Sequence, residues 1–411
     1  MKRNSLYIII STVVLAIPVA VLPAAELLQH TSPLAFINTA FENASPLDWE
    51  FDKDGNVIID LIYDHERSSP NRANGHWFFQ LHAASGSDLT LILQNFDNVW
   101  NGRIGIPISD RTSCFLSVDG KKWEAIPAEK IEGNRLKIPI HMEGETLFVA
   151  RMEPYRLSDL ERLMDEIKDN PLVEITPIGK TVEGRQLEII RVGKADAPYR
   201  VVIRARAHAW EAGGNWVAQG LINSLLEKSE ENQRYLEKFC LYIMPMANKD
   251  FVVHGRTRFN ALGKDLNRNW DQPADPVLSP ENHAFEQWLT GMIEKGKRPH
   301  LAIDLHNDNG GNIHISRPAI DLERYLANMQ RFEELLTELT WFTEGSTKAG
   351  FRNPGSFGEG LLERFGIDAF VYELNCDWIE GLKKAPFGED WELLGRQLRE
   401  VLYRYFENYN S

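Results

Sequence analysis

Cysteine is scarce in this chain of 411 residues, which has only Cys114, Cys240 and Cys376. Three cysteines cannot form a disulfide framework, and this excludes the class of small exported domains that disulfides stabilise. Positive charge is also in deficit, because 45 Lys and Arg stand against 59 Asp and Glu, a net charge of −14. Such a balance argues against nucleic acid as a partner. Internal repeats and low-complexity tracts are absent from the sequence, which argues against a solenoid or a disordered chain.

Long apolar runs are lacking except at the start, where residues 6–22 follow a basic Met-Lys-Arg-Asn. A basic start, a short apolar core and small residues are typical of a secretory signal peptide, with cleavage near Ala24 or Ala25. The run is short for a spanning helix and Pro18 interrupts it, so retention as a membrane anchor is the weaker alternative. We therefore expect residues 1–25 to be removed and the protein to be exported (periplasmic, extracytoplasmic or secreted), without a stable membrane partner.

A histidine and a glutamate stand three residues apart after a strand-like run. Residues 200–207, Arg-Val-Val-Ile-Arg-Ala-Arg-Ala, are typical of a buried strand, and His208 and Glu211 follow them. Gly213-Gly214 then predicts a turn, and residues 215–226 predict an amphipathic helix. The two polar side chains are thus expected at the carboxyl end of a strand, where open α/β sheets bind ligands. With a third protein ligand and one open position they would form a catalytic zinc site.

The same spacing recurs at His283 and Glu286, which supplies an internal control. This second pair lies inside a polar helical stretch, residues 280–294, and no strand precedes it. We interpret the second pair as a solvated helix face. Sequence context therefore favours the first pair.

The third metal ligand is expected at the end of another strand. Residues 298–306 are strand-like and stop at Asn-Asp-Asn-Gly-Gly, a strong turn signal, which favours His306. His314, in the next apolar segment, is the rival ligand. Asp304 would either support the metal ligands or act as a buried cap.

Further motifs appear between and after these strands: Arg258, then Gly-Lys-Asp-Leu-Asn-Arg-Asn-Trp at residues 263–270, and Glu373 in Val-Tyr-Glu-Leu. Their order resembles that of the zinc carboxypeptidases, which carry an H-x-x-E pair, an arginine, a D-x-N-R motif, a later histidine and a final glutamate. The resemblance covers residues 155–385 and is strongest to the cytosolic-type branch.

The resemblance implies a role for each matched residue, and chemistry explains each residue type. Two imidazoles and a carboxylate suit one Zn²⁺ per chain, although cobalt or nickel would fit the same ligands. Hydrolysis needs a general base and a cation for the oxyanion, and a guanidinium binds a terminal carboxylate bidentately. The implied assignments are His208, Glu211 and His306 as zinc ligands, Glu373 as general base, Arg258 as oxyanion cation, Asn267 and Arg268 as substrate-binding residues, and Asp265 as hydrogen-bond acceptor for His208.

One position departs from the family pattern. Digestive members carry a mobile tyrosine about twenty-two residues before the catalytic glutamate, and this chain has Phe351 there. Phenylalanine cannot donate a hydrogen bond to a substrate. Arg352 or Tyr372 would be the substitutes for that contact.

Two regions with different periodicity follow the predicted signal peptide. Residues 26–152 contain short strands separated by turns and predict an all-β sandwich domain, which the resemblance to the cytosolic-type branch also implies. Its expected role is to shape the entrance to the cleft, with a carbohydrate-binding surface at Trp77 or Trp100 as an alternative. Residues 153–411 alternate strands and helices, which predicts an α/β catalytic domain with a mixed sheet.

Three functions are compatible with these features. The first is a zinc carboxypeptidase that removes C-terminal residues from peptides with a free carboxylate. The second is a related zinc amidohydrolase or deacylase that acts on N-acyl amino acids or cell-wall peptides. The third is a non-catalytic relative that binds carbohydrate or peptide.

Overall fold

Two five-stranded sheets form the N-terminal region of the computed structural model, which describes residues 32–319, 321–407 and 409. The predicted signal peptide lies outside these residues, and export stays a prediction. Within the described ranges, no helix has the length and apolar character needed to cross a membrane. The strands of this region are β1 (Leu34–Asn38), β2 (Leu47–Phe51), β3 (Val57–Leu61), β4 (Asp64–His65), β5 (Arg72–Ala73), β6 (Phe78–Ala83), β7 (Asp88–Gln94), β8 (Asn98–Trp100), β9 (Arg103–Gly105), β10 (Ser113–Ser117), β11 (Glu124–Pro127), β12 (Glu129–Ile131), β13 (Arg135–His141) and β14 (Thr146–Ala150).

The two sheets bury one shared core. One sheet has the order β1-β6-β14-β10-β11 and the other β12-β13-β7-β3-β2. Apolar residues alternate along the strands, as at Leu136, Ile138 and Ile140 of β13, and their buried side chains meet those of the opposite sheet. Alternation with one buried face is what makes a strand stable in a sandwich. A strand-rich region before the α/β part is therefore confirmed.

A separate sheet of four short strands, β4-β5-β8-β9, is called the small sheet below. In the chain, β4 and β5 lie between β3 and β6, and β8 and β9 lie between β7 and β10. Neighbouring strands of the small sheet pair antiparallel. Arg72 of β5 pairs with Val99 of β8, and Trp100 of β8 pairs with Arg103 of β9.

A seven-stranded mixed sheet carries the second region, which confirms the predicted fold class. Its order is β15-β16-β18-β17-β19-β21-β20, in which β18, β17, β19 and β21 pair parallel and the other neighbouring pairs are antiparallel. The strands are β15 (Val173–Lys180), β16 (Gln186–Val192), β17 (Tyr199–Ala205), β18 (Phe239–Met244), β19 (Leu301–Asp308), β20 (Asn312–Ile315) and β21 (Asp368–Asn375).

Helices cover both faces of this sheet. The apolar residues of α2, α6 and α8 share one core with Val201 and Ile203 of β17, whereas α5 and α7 pack mainly on the side of Val202. Parallel strands covered on both faces need near-continuous apolar runs, and β17 has one. The helices are α1 (Leu157–Ile167), α2 (Gly213–Leu226), α3 (Glu230–Lys238), α4 (Lys249–Val253), α5 (Pro280–Glu294), α6 (Leu322–Leu339), α7 (Phe357–Phe365) and α8 (Gly388–Glu407).

The predicted turn at Gly213-Gly214 was wrong, because both glycines belong to the first turn of α2. A Cβ on Gly213 would lie 2.8 Å from Asn307 Nδ2, and one on Gly214 would lie 2.9 Å from Leu305 Cβ. The glycines therefore allow the start of α2 to approach β19 closely. The predicted amphipathic pattern was also wrong, since residues around most of the circumference of α2 are buried.

The two regions are in contact. From Pro33 onward the chain forms one compact unit. Phe78, Phe115 and Met152 of the strand-rich region belong to the same buried core as α2 and α8. Arg151 forms a buried ion pair with Asp377, which follows β21. The domain boundary near residue 152 stays a prediction.

Candidate metal centre

Three neighbouring parallel strands place the predicted site residues. His208 follows β17, His306 lies in β19 and Glu373 lies in β21. In the register of β19 and β21, His306 pairs with Glu373. The carboxyl ends of parallel strands share one edge of a sheet, so groups far apart in sequence meet there.

A strained residue turns the chain after β17. Arg206 has φ 61°, in the left-handed region that costs about 1–2 kcal/mol for a residue with a Cβ. Its buried guanidinium donates to the Ala209 carbonyl at 2.7 Å and to Asn215 Oδ1 at 3.2 Å. Both bonds hold the loop that carries His208 and Glu211. Backbone strain of this kind persists where the surrounding structure requires it, as at functional sites.

The three predicted metal ligands converge. Glu211 Oε1 lies 2.7 Å from His208 Nδ1, and Glu211 Oε2 lies 2.7 Å from His306 Nδ1. The two Nδ1 atoms are 3.1 Å apart. A zinc–nitrogen bond of about 2.1 Å separates neighbouring tetrahedral ligands by about 3.4 Å, so a small expansion would accommodate the ion. Among the described residues, this is the cluster whose ligand atoms fit a metal.

A carboxylate lies behind each imidazole. His208 Nε2 is 3.0 Å from Asp265 Oδ1, and His306 Nε2 is 2.8 Å from Asp304 Oδ2. If each Nε2–H donates to its carboxylate, each neutral ring has a lone pair on Nδ1. These two lone pairs point towards each other and towards the carboxylate of Glu211. Two lone pairs and a carboxylate repel one another unless a cation lies between them. The donor set therefore fits a divalent metal, and the outer carboxylates fix the histidine tautomers.

The local field also favours positive charge. Burial raises the pKa of the Glu211 carboxyl, but His208 and His306 outweigh it and lower that pKa to about 2. Burial lowers the pKa of His306, yet Asp304 and Glu211 reverse this and hold it well above its ordinary value. Arg204 donates to both oxygens of Asp304 at 2.8 Å. Burial raises the pKa of Asp304, but the charge of Arg204 outweighs it and lowers that pKa.

Asp265 joins the metal cluster to a pair of arginines. Arg258 Nε and Nη2 lie 2.9 and 2.8 Å from Asp265 Oδ2. Burial raises the pKa of Asp265, but Arg258 and His208 outweigh it and hold the pKa well below the usual range. Arg268 differs, since it donates to the Asn267 carbonyl at 2.7 Å and forms no ion pair with a described residue. Burial lowers the pKa of Arg268, and the charge of Arg258 adds to this, although the carboxylate of Asp265 opposes both.

Glu373 faces the metal cluster from the adjacent strand, and its side chain is 13% exposed. Burial, followed by the charge of Asp308, raises its pKa well above the ordinary value. His314, the rival third ligand, is outside the ligand cluster and lies with Nδ1 4.0 Å from Glu373 Oε1. Burial and the charge of His306 lower the pKa of His314 to about 4, so its ring is neutral.

One cleft of about 430 Å³ is lined by His208, Glu211, Arg258, Asn267, Arg268, His314 and Glu373. His306, Asp265 and Asp304 are buried and do not line it. Phe351 also lines the cleft and packs on His314 with ring centroids 4.6 Å apart. Arg352 reaches the rim and donates to the Ala349 and Phe351 carbonyls. Tyr372 is fully buried against Phe342, away from the cleft, so it was wrong as a substitute for the tyrosine.

The interpretation of the second H-x-x-E pair as a solvated helix face was also wrong. His283 and Glu286 do lie in α5, but Glu286 is 7% exposed. Its carboxylate contacts Arg364 at 2.7 Å and accepts the Ala274 N–H at 3.1 Å. Glu286 therefore forms a largely buried ion pair with Arg364 instead of facing solvent.

Several contacts in or behind the cleft were missed at the sequence level, where Trp100 was named only as part of an alternative carbohydrate-binding surface. Trp100 lines the cleft, Asp64 accepts the backbone N–H groups of Thr257 and Arg258, and Arg204 supports Asp304. Arg204 carried a signal, because an arginine inside a buried strand needs a partner. Trp100 and Asp64 carried none, since more than a hundred residues separate them from the motifs.

Comparison with known proteins identifies the region that carries His208 and Glu211 of this cluster. Residues 160–295 match the family of zinc carboxypeptidases (Peptidase_M14). This segment of the chain matches a zinc carboxypeptidase domain. Cytosolic carboxypeptidase 6 of Caenorhabditis elegans is 24% identical over 282 residues, 62% of this chain and 60% of that protein. Human cytosolic carboxypeptidase 6 is 26% identical over 327 residues, 71% of this chain and 63% of that protein. The chain thus spans less than two thirds of these relatives.

A solved structure extends the likeness in fold to the zinc carboxypeptidase domain and the strand-rich region together. The metallo-carboxypeptidase from Burkholderia cenocepacia superimposes with a TM-score of 0.78 at 20% identity, over 91% of this chain and 99% of that chain. The similarity therefore includes both regions.

Proposed function

We propose that the protein is a zinc carboxypeptidase that removes C-terminal residues from peptides. The observation that carries this proposal is one cleft that is lined by His208 and Glu211 of the metal cluster, by Glu373 and by Arg268, which forms no ion pair with a described residue. A metal cluster, a base and a receptor for a terminal carboxylate are the three parts that an exopeptidase needs. The zinc carboxypeptidase domain at residues 160–295 supports the same conclusion.

The residues of the cleft divide the reaction between them. Zinc, when bound to His208, Glu211 and His306, would activate a water and polarise the scissile carbonyl. Glu373 accepts the proton of the attacking water and returns it to the leaving amine. Arg258, held by Asp265, presents a fixed positive charge to the developing oxyanion.

Arg268 and Asn267 account for exopeptidase rather than endopeptidase action. The guanidinium of Arg268 is half-buried, lines the cleft and forms no ion pair with a described side chain. A free terminal carboxylate would supply the missing negative charge in a bidentate bond. Asn267 is positioned by the Phe357 N–H, which donates to its side-chain oxygen at 2.8 Å.

Metal analysis combined with a peptide library tests the proposal. We expect one zinc per chain and loss of single C-terminal residues, read by mass spectrometry and abolished by a chelator. Zinc without C-terminal trimming, but with cleavage of N-acyl amino acids, would replace the carboxypeptidase by an amidohydrolase. Absence of bound metal would refute both.

Glu373→Gln separates metal binding from turnover. Glutamine keeps the shape of the side chain but cannot act as a base, so turnover should fall by several orders of magnitude while zinc content stays unchanged. Unchanged activity would contradict the role given to Glu373.

A further inference from the structure

The small sheet contacts the segment that carries both cleft arginines. Asp64 of β4 is 3% exposed, and its Oδ2 accepts the N–H groups of Thr257 at 2.7 Å and of Arg258 at 2.6 Å. The Arg67 N–H donates to the Gly263 carbonyl at 2.8 Å. The N-terminal region therefore holds the backbone of the arginine segment at two points.

Trp100, in β8 of the same sheet, reaches the side chains of both arginines. Its ring centroid lies 4.5 Å from Cζ of Arg258 and 5.0 Å from Cζ of Arg268. Trp100 is half-buried and lines the cleft. Tryptophan is the strongest aromatic partner for a cation, because its ring carries the largest negative potential on its face.

The contact matters most for Arg268. Arg258 already has the Asp265 carboxylate, whereas Arg268 forms no ion pair with a described residue and lies beside a second guanidinium. Two neighbouring cations repel, and the face of an aromatic ring reduces this repulsion without taking up the N–H groups at the guanidinium edges. Trp100 thus holds Arg268 in place and leaves the N–H groups that do not bond the Asn267 carbonyl available for an anionic ligand.

We propose that Trp100 is a positioning residue that gives the cleft its preference for a free C-terminal carboxylate. The inference rests on the proposed carboxypeptidase function and extends it, because part of substrate recognition then comes from outside the zinc carboxypeptidase domain. Trp100 acts through Arg268 and takes no part in the transfer of protons.

A binding experiment on the zinc-loaded protein carrying Glu373→Gln tests the role of Trp100 without turnover. A short peptide and its C-terminal amide are titrated by calorimetry, and the ratio of their affinities is the readout. Trp100→Ala should lower this ratio on the order of tenfold, the equivalent of about 1.4 kcal/mol. Trp100→Phe keeps an aromatic face and should restore most of the ratio.

Trp49→Ala is the matched control. Trp49 is a half-buried tryptophan of the same region, but it lies in β2 and packs on Phe51, and it does not line the cleft. Its removal should leave the ratio unchanged. In the protein with Glu373 intact, Trp100→Ala should raise KM for the free peptide more than it lowers kcat.

The outcomes distinguish the two proposals. Preference for the free carboxylate that survives Trp100→Ala, with zinc bound, would overturn the role of Trp100 and leave the carboxypeptidase intact. Lack of any preference before Trp100 is replaced would overturn both. An equal loss in Trp100→Ala and Trp49→Ala would also overturn the inference, because it would indicate a general effect on folding.

Discussion

The chain contains H-x-x-E twice, and the two pairs have the same spacing but differ in secondary structure and in the groups that surround them. His208 and Glu211 lie in an irregular loop after a strand and converge with His306. His283 and Glu286 lie within α5, where Glu286 contacts Arg364 and the His283 ring makes no hydrogen bond to a described residue. Spacing alone therefore carries little information about metal binding.

The groups behind each pair explain the difference. The ion-pair partners of Glu211 are imidazoles, and carboxylates lie behind both of those rings, so the first pair lacks a permanent positive charge. Glu286 already has one in Arg364. A metal ion would complete the charge balance of the first pair, whereas it would compete with a guanidinium at the second.

The largest expected effect comes from removing one histidine from each pair. His208→Ala deletes a metal ligand and should abolish both stoichiometric zinc and peptide hydrolysis, a loss of several orders of magnitude. His283→Ala is the matched change and should alter neither. Metal analysis and a peptidase assay on both variants decide the matter. Zinc loss in His283→Ala would erase the distinction between the two pairs.

Metal removal should affect stability through the first pair only. A ligand that binds only the folded state stabilises it by about 4 kcal/mol when its free concentration is about 1,000 times its Kd. Zinc added to chelator-treated protein should therefore raise Tm clearly in the wild type and in His283→Ala. Glu211→Gln replaces an anionic ligand by a neutral amide and should remove most of this increase. An equal rise of Tm in Glu211→Gln would contradict the ligand assignment.

A smaller effect is expected from the carboxylates that lie near each histidine. Asp265→Asn weakens the acceptor behind His208 Nε2 and should reduce zinc affinity about 10- to 100-fold. Asp275 is the control, since it influences His283 through charge alone and its side chain caps the Val277 and Leu278 N–H groups. Asp275→Asn should leave zinc affinity unchanged. Competition with a chromogenic chelator measures both variants.

The fold could be predicted well from the sequence because its signals are local. Alternation predicted the strand-rich region, and apolar runs alternating with helical patterns predicted the mixed sheet. The start of α2 at Gly213 was not predicted, because Gly213 and Gly214 allow a close approach to β19, a contact that exists only in the folded chain. Local rules give glycine pairs to turns and cannot detect such packing.

The candidate site was predictable in part for the same reason. The metal cluster and Glu373 lie near or just after the carboxyl ends of parallel strands, so their convergence follows from the rule for parallel sheets. Trp100 and Asp64 belong to the small sheet, whose strands have two or three residues each. The position of such short strands against a distant loop depends on tertiary packing, which leaves no periodic signal.

The smallest expected effect is on the free energy of unfolding, to which Glu286 of the second H-x-x-E pair contributes. Glu286 contacts Arg364 at 2.7 Å and accepts the Ala274 N–H, with side chains 9% and 19% exposed for Glu286 and Arg364. Glu286→Gln removes the charge and turns an amide N–H₂ towards the guanidinium on one side. The free energy of unfolding should fall by about 1–3 kcal/mol, while zinc affinity stays unchanged.

A double-mutant cycle with Arg364→Gln measures how much of this loss belongs to the pair. Arg364 also donates to the Trp270 and Gln272 carbonyls, so its single replacement should cost more than that of Glu286. The double variant should be more stable than the sum of the two losses predicts. Additive losses would show that Glu286 is stabilised by other neighbours and not by Arg364. The charge of Arg364 would then no longer explain why His283 and Glu286 bind no metal.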